Sequence, residues 1–269
     1  MNITGIRTRL IIGGQEYLRI PEMSLDYRRH APLSVAQVTL ADPGGDIFKS
    51  LSPGTAMEIH LGYRDQEADV WTGTVQRVTP DRKPDQVRMT GVGGELPLSE
   101  TLITKSWENE TPEAIVTYCV GQTGLPPGNI DATGIIFPRF VAATIPVWQV
   151  ARQCEHSCHR GFGRDMDTWD LWMDKAGSVH WGDSDEDGDI PVIATAGGVI
   201  SHAPATAPLT ELSMVETFLL PGFRRCGKFQ LTDTRRGIDD VFRARVVRHV
   251  VQPNKIRTYI WYGAEYGKY

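Results

Sequence analysis

Apolar and polar residues alternate in short segments through the first third of the chain. The segment AMEIHLGY places Met57, Ile59 and Leu61 on one face of a predicted strand, with polar residues between them. The segments RTRLII, SVAQVTLAD, VWTGTVQRVTP and QVRMTGVGG alternate in a similar way and are separated by polar turns. Many short strands with closely spaced turn signals predict a small β-barrel or sandwich over residues 1–104.

The middle of the chain changes to a helical period. Thr111 is a suitable N-cap for a helix that begins at Pro112, and a second helix begins near IPVWQV and ends at Gly161. The apolar positions of the two helices are Ile115, Val116, Cys119 and Val120, and Val147, Val150, Ala151, Cys154 and Cys158. The segment DTWDLWMDKAGSVHWG predicts a hairpin, so residues 105–190 are predicted to form a mixed α/β domain.

The last third returns to the strand period. The segment ATAGGVISHAPATAPL is rich in Ala, Gly and Pro and is predicted to be a connecting segment. Strands are predicted in FLLPG, GKFQLTD, DVFRARVVRHVV and IRTYIWYG, and the doubled valines at 246–247 predict a β-bulge. Residues 191–269 are therefore predicted to form a second barrel.

One nine-residue pattern occurs twice, in the two all-β parts of the chain. VWTGTVQRV at 70–78 and VFRARVVRH at 241–249 share a valine, an aromatic residue, a glycine or alanine, a second valine and an arginine. Both lie on the second arm of a predicted hairpin, which favours a duplicated barrel with its small residue at a close backbone approach or corner. The predicted fold class is mainly β with an α+β middle: two similar small β-barrel domains flank a mixed α/β domain.

The composition is that of an ordinary globular protein. The chain has 269 residues, 41% of them hydrophobic and 23% charged, and a net charge of -5 that argues against general affinity for nucleic acids. No apolar run approaches the roughly 20 residues of a membrane-spanning helix. The first residues include arginines where an export signal needs an apolar stretch, so we expect a protein that folds in a cytoplasm.

The charge is unevenly distributed. Residues 155–189 contain ten acidic and three basic residues, whereas residues 217–269 contain eleven basic and four acidic ones. These two regions are either solvated surfaces or complementary patches that meet across a subunit contact or face a channel.

Two segments resemble metal sites without completing one. DSDEDGDI matches the first half of a calcium loop through Asp183, Asp185 and Asp187, but Ala194 stands where the bidentate glutamate belongs, which favours an exposed acidic turn. In CEHSCH, Cys154 and Cys158 share a helix face, while His156 and His159 point elsewhere, which favours two buried thiols. We expect no metal site, and the four cysteines (Cys119, Cys154, Cys158 and Cys226) are too sparse for a disulfide scaffold.

No catalytic constellation is evident. Asp165, Asp167 and Asp170 are candidates for paired carboxylates, but acids at alternate strand positions are typical of the solvated face of a hairpin. GVGGE at 91–95 lacks the helix start that phosphate binding requires. We therefore predict a protein that is not an enzyme, with no catalytic, cofactor-binding or metal-ligating residues and no cofactor.

The sequence resembles the baseplate hub proteins of bacteriophage tails, the late control protein D family, and the related VgrG proteins of type VI secretion spikes. The resemblance lies in LSPGTAMEIHLGYRDQEADVWTGTVQRVTPD, in TPEAIVTYCVGQTGL, in IPVWQVARQCEHSCHRGFGRDMDTWDLWMDKAGSVHWG, and in FLLPGFRRCGKFQL with FRARVVRHVV. These segments follow one another in the family's order along nearly the whole chain.

The resemblance implies a structural protein of the virion tail baseplate, assembled in the cytoplasm of the host bacterium. It implies a homotrimer whose six barrels form a pseudo-six-fold ring between the hexameric tail tube and a trimeric spike, with the tape measure protein as a further candidate partner. DNA only passes through the lumen, so Arg243, Arg245 and Arg248 are expected mostly at contacts rather than in the bore. The spike is expected to be a separate protein.

Two other functions stay open at this point. The first is a tail-associated enzyme that degrades cell walls, with the aspartates of 165–174 as its candidates. The second is a monomeric carbohydrate-binding β protein that uses Trp169, Trp172 and Trp181, although such tryptophans more often fill a core.

Overall fold

The structure is a computed structural model that is mostly β: 52% of the residues it describes are in strands and 15% are in helices. It describes residues 5–18, 20, 22–29, 31, 33–64, 67–83, 85–174, 176–184, 190–207 and 211–263. Within these ranges, no helix has the length and apolar character needed to cross a membrane.

Eighteen strands and four helices follow one another along the described residues. They are β1 (Ile6–Ile12), β2 (Gln15–Tyr17), β3 (Glu22–Arg28), β4 (Val35–Ala41), α1 (Asp46–Ser50), β5 (Ala56–Tyr63), β6 (Asp69–Pro80), β7 (Gln86–Gly93), α2 (Leu96–Glu100), β8 (Leu102–Glu110), α3 (Pro112–Gln122), β9 (Pro127–Ile130), β10 (Phe137–Pro146), α4 (Val147–Phe162), β11 (Trp169–Met173), β12 (Val179–Asp183), β13 (Val192–Ala194), β14 (Val199–Ala203), β15 (Ser213–Thr217), β16 (Lys228–Asp233), β17 (Ile238–Gln252) and β18 (Lys255–Tyr262).

The chain divides into two compact units. Unit 1 joins the beginning and the end of the chain, and unit 2 holds most of the middle. Unit 1 is Met1–Arg29, Ser34–Gly93 and Gly188–Lys268; unit 2 is His30–Leu33, Gly94–Asp187 and Tyr269. The three-domain division at 104 and 190 stays a prediction, and the main changes between units, at 93/94 and 187/188, fall near those two positions.

Unit 1 is built on one sheet of 13 strands. Its main path runs β14-β15-β18-β17-β3-β4-β7-β6-β5-β1-β2, and β16 and β13 branch from β17. The described residues form no closed barrel. The finer arrangement of two barrels therefore stays a prediction, whereas the mainly β character is confirmed.

The core of unit 1 follows from the strand alternation predicted from the sequence. Met57, Ile59 and Leu61 are all buried on β5, and Phe229 and Leu231 are fully buried on β16. Because successive residues of a strand face opposite sides, each such strand contributes every second side chain to the core.

The strands of unit 1 form two sets with the same order. The first set reads β1-β5-β6-β7-β4-β3 across the sheet, and the second reads β13-β16-β17-β18-β15-β14. A strand's rank along the chain within its set also fixes its position across the sheet, and this relation is the same in both sets. The corresponding strands, in chain order, are β1, β3, β4, β5, β6 and β7 in the first set and β13, β14, β15, β16, β17 and β18 in the second. One pair differs in direction, since β1 is antiparallel to β5 and β13 is parallel to β16.

Unit 2 contains the two predicted helices. Thr111 caps α3 by accepting a hydrogen bond from the Ala114 N–H at 3.3 Å, and Pro112 occupies the first turn as predicted. All nine apolar positions predicted for the two helices are buried in α3 and α4. Helix α4 continues past Gly161 to Phe162, and its C-cap is Gly163, which adopts the left-handed conformation (φ 69°).

Two small sheets complete unit 2. Strands β8 and β10 form an antiparallel pair, and β11 and β12 form the predicted hairpin, with β9 parallel to β12. The sequence patterns missed β8 and β10. In β10 the alternation is broken by a bulge between Ala143 and Ile145, where Thr144 has a positive φ of 55°.

Two predictions for the last third were wrong. The segment 194–209 is not simply a connection, because it contains the end of β13 and all of β14. FLLPG is not a strand, since β15 ends at Thr217, just before it. Leu219 is nevertheless fully buried, which explains the apolar character that suggested a strand.

Candidate functional site

The long central strands β6 and β17 organise the two strand sets. Strand β6 pairs with β5 through Asp69–Thr74 and with β7 through Gly73–Pro80. Strand β17 likewise pairs with β16 through Ile238–Arg243 and with β18 through Ala244–Gln252. The first half of each central strand thus pairs with one neighbouring strand and the second half pairs with another.

Matching hydrogen bonds fix the correspondence between these two strands. The Val75 N–H donates to the Thr55 carbonyl at 2.8 Å, and the Val75 carbonyl accepts from the Gly54 N–H at 2.7 Å. Ala244 makes the same two bonds, to Gly227 and from Cys226, both at 2.9 Å. Val75 therefore corresponds to Ala244.

Each central strand has a bulge directly after this point. The register against β7 shifts between Val75 and Arg77, and the register against β18 shifts between Ala244 and Val246. A bulge was predicted at the doubled valines 246–247, and the structure places it at Arg245, immediately before them. The two bulges are equivalent, since each follows the corresponding residue by one position.

The nine-residue repeat is displaced by two residues from this structural correspondence. When the two copies of the repeat are aligned by sequence, Val75 matches Val246. The backbone hydrogen bonds instead match Val75 with Ala244. A shift of two residues keeps every side chain on its face of the strand, so the sequence pattern survives the displacement. The interpretation of Gly73 and Ala244 as equivalent small residues was therefore wrong, although both repeats lie on corresponding strands.

Gly73 has a local packing reason of its own. A Cβ atom at this position would lie 2.1 Å from the Val92 carbonyl oxygen and 2.6 Å from Cη2 of Trp71. The indole of Trp71 is buried and donates to Oγ of Ser34 at 2.9 Å. The predicted close backbone approach therefore occurs at Gly73.

Strand β3 joins the first strand set to the second. It pairs with the second half of β17 from Met23↔Val251 to Arg28↔Val246, and the Arg29 N–H donates to the Arg245 carbonyl at 2.8 Å. The guanidinium of Arg248 forms an ion pair with Asp26 across this pairing. One strand of the first set is thus an additional neighbour of the second set's central strand.

The three arginines Arg243, Arg245 and Arg248 of β17 all have contacts within the chain. A guanidinium nitrogen of Arg243 donates to the Cys226 carbonyl and one of Arg245 to the Gly263 carbonyl, both at 3.2 Å. Arg248 pairs with Asp26. All three side chains are therefore held by unit 1 itself.

A buried histidine connects two strands of the second set with a neighbouring loop. Nε2 of His249 donates to the Phe223 carbonyl at 2.9 Å, and Nδ1 accepts from the Thr258 hydroxyl at 2.9 Å. Burial lowers the pKa of His249 to about 4. The imidazole is therefore neutral at pH 7 and serves as a fixed link between strands and loop.

A second buried network includes a charge. Nδ1 of His202 donates to Oδ2 of Asp233 at 2.7 Å, and Nε2 lies 2.8 Å from the Tyr262 hydroxyl. Arg236 also donates to Asp233, and the pKa of that carboxyl is lowered to about 2, chiefly by the His202 hydrogen bond. Sequence reasoning missed this group because its three strands are far apart in the chain.

The CEHSCH segment carries thiols in the core of unit 2. Cys154 and Cys158 are fully buried, and all four cysteines are free. Burial raises the pKa of Cys158 and Cys119 to about 12 and that of Cys154 well above its ordinary value. Both residues of this segment therefore lie in the core as protonated thiols, and the described residues contain no cluster of three or more potential metal ligands.

A buried carboxylate lies beside these thiols. Glu155 is fully buried, and its Oε1 accepts a hydrogen bond from the Trp181 indole N–H at 3.0 Å. Arg152 reaches Oε2 at 3.4 Å. This side chain links α4 to β12, and its position within CEHSCH gave no signal of that role.

The candidate aspartates have separate structural roles. Asp165 accepts from the Asp167 N–H at 2.9 Å in a local turn, and Asp170 is buried on β11. Asp183 is the exposed last residue of β12 and its N–H donates to Asp131, whereas Asp185 and Asp187 lie outside the described residues.

The tryptophans of the hairpin mostly fill the core. Trp169 and Trp181 are buried and meet edge to face with ring centroids 4.9 Å apart. Trp172 is partly buried and stacks on His180 at 5.3 Å. The three rings therefore do not form the exposed platform that sugar stacking requires.

Unit 2 also has a surface groove that the sequence patterns did not indicate. It lies between β10 and α4 and includes the stacked pair Phe137 and Phe140, whose ring centroids are 5.7 Å apart. Arg139, His156 and Arg160 supply its polar side.

Comparison with known proteins gives a fold. No family model matches the chain, and no curated protein matches its sequence. The tail protein from Neisseria meningitidis MC58 is similar with a TM-score of 0.70 at 10% identity, covering 96% of both chains. The 43 kDa tail protein of prophage MuSo2 from Shewanella oneidensis gives 0.67 at 12% identity, also covering 96% of both. The chain has the fold of phage tail proteins.

A third similar structure comes from a secretion system. It is the Escherichia coli c3393 protein, a component of the type VI secretion system that is structurally similar to the T4 bacteriophage tail proteins gp27 and gp5. The TM-score is 0.64 at 9% identity, with 97% of this chain and 78% of the other covered. The shared fold therefore extends from phage tails to secretion-system components.

Proposed function

We propose that this chain is a structural hub protein in the tail baseplate of a phage or a phage-like device. Three copies form a ring in which each copy contributes its two strand sets, which we name modules. The ring joins the hexameric tail tube on one side to a separate trimeric spike on the other. The tape measure protein is a further candidate partner, and DNA passes through the lumen without being bound. The protein is assembled in the cytoplasm of the host bacterium.

The observation that carries this proposal is the identical order of two six-strand sets in one chain. Three chains with two equivalent modules present six similar surfaces, which match the six subunits of a tube ring, while the rest of each chain keeps three-fold symmetry. Ring closure also protects edge strands that are otherwise open to uncontrolled pairing. Similarity to tail proteins supports a structural role that needs no catalysis, cofactor or metal.

Mass measurement in solution tests the trimer. Light scattering on the purified full chain, at the highest concentration it tolerates, is expected to give three times the chain mass of 29.9 kDa. Added tube protein is expected to bind as six subunits per hub trimer. A chain that stays monomeric throughout this range and ignores the tube protein would contradict the proposal.

A further inference from the structure

The groove in unit 2 lies between one side of α4 and the beginning of β10. Gln153, His156, Ser157 and Arg160 line it from α4. Their spacing of three and four residues places them together on one side of the helix, away from the side that packs into the core. The groove has a volume of about 460 Å³, within the range of roughly 300–1,000 Å³ that is typical of ligand clefts.

Three aromatic rings form the apolar part of the groove. Phe137 and Phe140 of β10 are buried and stack with ring centroids 5.7 Å apart, and the ring of Phe162 lies 5.7 Å from that of Phe137. Phe162 is 48% exposed, so the row of rings is open to solvent at this end. A further aromatic or large apolar side chain that packs here removes apolar surface from water.

The polar part of the groove is basic. Arg139 and Arg160 are exposed, and no Asp or Glu of the described residues lines the groove. Within the described part of the chain, Arg139 has no hydrogen bond or ion pair. Burial and the neighbouring charges of Arg160 and Arg152 lower the pKa of His156. The groove therefore joins an apolar floor to a positively charged wall.

The distribution of charge around the groove favours a protein segment over a nucleic acid. Arg139 has the exposed carboxylate of Glu108 as its cross-strand neighbour on β8. The whole chain has a net charge of -5. A phosphate backbone requires an extended basic track, whereas one or two carboxylates of a protein segment need only the two arginines.

We propose that this groove binds a segment of another protein in which acidic residues flank an aromatic or large apolar side chain. The apolar side chain packs against Phe137 and Phe162, and the flanking carboxylates pair with Arg139 and Arg160. The buried side chain supplies most of the affinity, and the charges set the orientation of the segment. The groove lies in unit 2, outside the two modules, so the inference does not depend on the proposed ring.

Fluorescence polarisation with the full chain tests the inference. The probes are short fluorescein-labelled peptides with a central phenylalanine, tryptophan or leucine between aspartates and glutamates. At least one of them is expected to bind saturably. Replacing its central residue by alanine, or its acidic residues by lysines, should weaken binding about 10-fold, since each change removes one of the two complementary features.

Reversal of the two groove charges identifies the site. Arg139→Glu combined with Arg160→Glu should weaken binding of the acidic peptide about 10-fold, because attraction becomes repulsion. The matched control combines Arg7→Glu with Arg88→Glu, which changes the net charge equally at two exposed arginines of unit 1. The control should bind the peptide like the wild type.

A glycine in the groove offers a second, uncharged test. Gly161 lines the groove, and a Cβ atom there meets nothing within 4 Å. Gly161→Leu therefore places a side chain at the groove without a clash, favours the helix, and should weaken peptide binding about fivefold or more. Gly121→Leu is the control, since Gly121 lies near the end of α3 with equally open space around its Cβ position.

Several results would overturn the inference. They are an absence of saturable binding by every peptide up to about 1 mM, equal binding by the groove variants and their controls, and equal binding of a labelled single-stranded DNA through the same two arginines. Light scattering separates the inference from the proposed function. If Arg139→Glu with Arg160→Glu dissociates a trimer that the control keeps, a second copy of the chain covers the groove; the inference is then wrong and the hub function stands.

Discussion

At the scale of single residues, buried side chains stabilise the fold, and the sequence patterns identify only some of them. The predicted core positions Met57, Ile59 and Leu61 are buried, because a strand alternation reports the environment of each residue directly. His249, Glu155 and the His202–Asp233 pair are polar and buried, and their partners come from distant segments. No local pattern encodes such a meeting, so sequence reasoning did not find them.

The neutral state of His249 predicts an acid-sensitive stability. Its pKa is about 4 in the folded chain and near 6.5 when unfolded, so protons favour the unfolded state as the pH falls between these values. This histidine contributes stability above pH 6.5 that is lost toward pH 4, roughly 3 kcal/mol in all. In His249→Gln, the fall in unfolding free energy between pH 7 and pH 4 should shrink by about this amount, measured by urea unfolding.

A histidine near the surface provides the control for this measurement. The side chain of His60 is 21% exposed, and His60→Gln, which removes a histidine outside the core, is measured in parallel. The Asp233 carboxyl, with a pKa of about 2, affects stability mainly below this range. Equal pH dependence in His249→Gln and the wild type would contradict the assignment.

The close approach at Gly73 predicts a costly substitution. In Gly73→Ala the new methyl group meets the carbonyl oxygen of Val92, which belongs to the β6–β7 ladder, and the buried Trp71 ring. We expect a loss of about 3 kcal/mol in unfolding free energy. Gly197→Ala in the same unit is the control, since a Cβ there meets nothing within 4 Å and should change stability by less than about 0.5 kcal/mol.

At the scale of helices and strands, regular patterns were predicted and irregular ones were missed. Strands β5 to β7 and helices α3 and α4 have clear periods and caps, and their positions were predicted within a few residues. Strand β10 contains a bulge and β14 lies in a segment rich in Ala, Gly and Pro, so neither shows a clean alternation. The pairing of β3 with β17 joins opposite ends of the chain and has no sequence signature at all.

The cap of α3 gives a prediction at this scale. Thr111→Ala removes the hydrogen bond to the Ala114 N–H and should lower the unfolding free energy of unit 2 by about 1 kcal/mol. Thr117→Ala lies on the exposed side of the same helix and should cost no more than about 0.5 kcal/mol. Equal losses from the two substitutions would show that the cap contributes nothing specific.

At the scale of the whole molecule, the duplication is a property of strand order rather than of sequence. The nine-residue repeat led to the two modules, but it is out of structural register by two residues, and the central strands are matched by their bulges and hydrogen bonds instead. Packing constrains faces and partners of strands more tightly than it constrains individual residue types. Two modules can therefore keep the same topology while most of their residues differ.

The central claim is that three copies of this chain present six equivalent modules to the tail tube. Electron microscopy of assembled tails at a resolution that traces strands tests it most directly. The account predicts one hub layer of three chains, in which six similar β-modules alternate around the axis beneath a ring of six tube subunits. A layer of six chains, or three chains whose two modules lie at different distances from the axis, would contradict it.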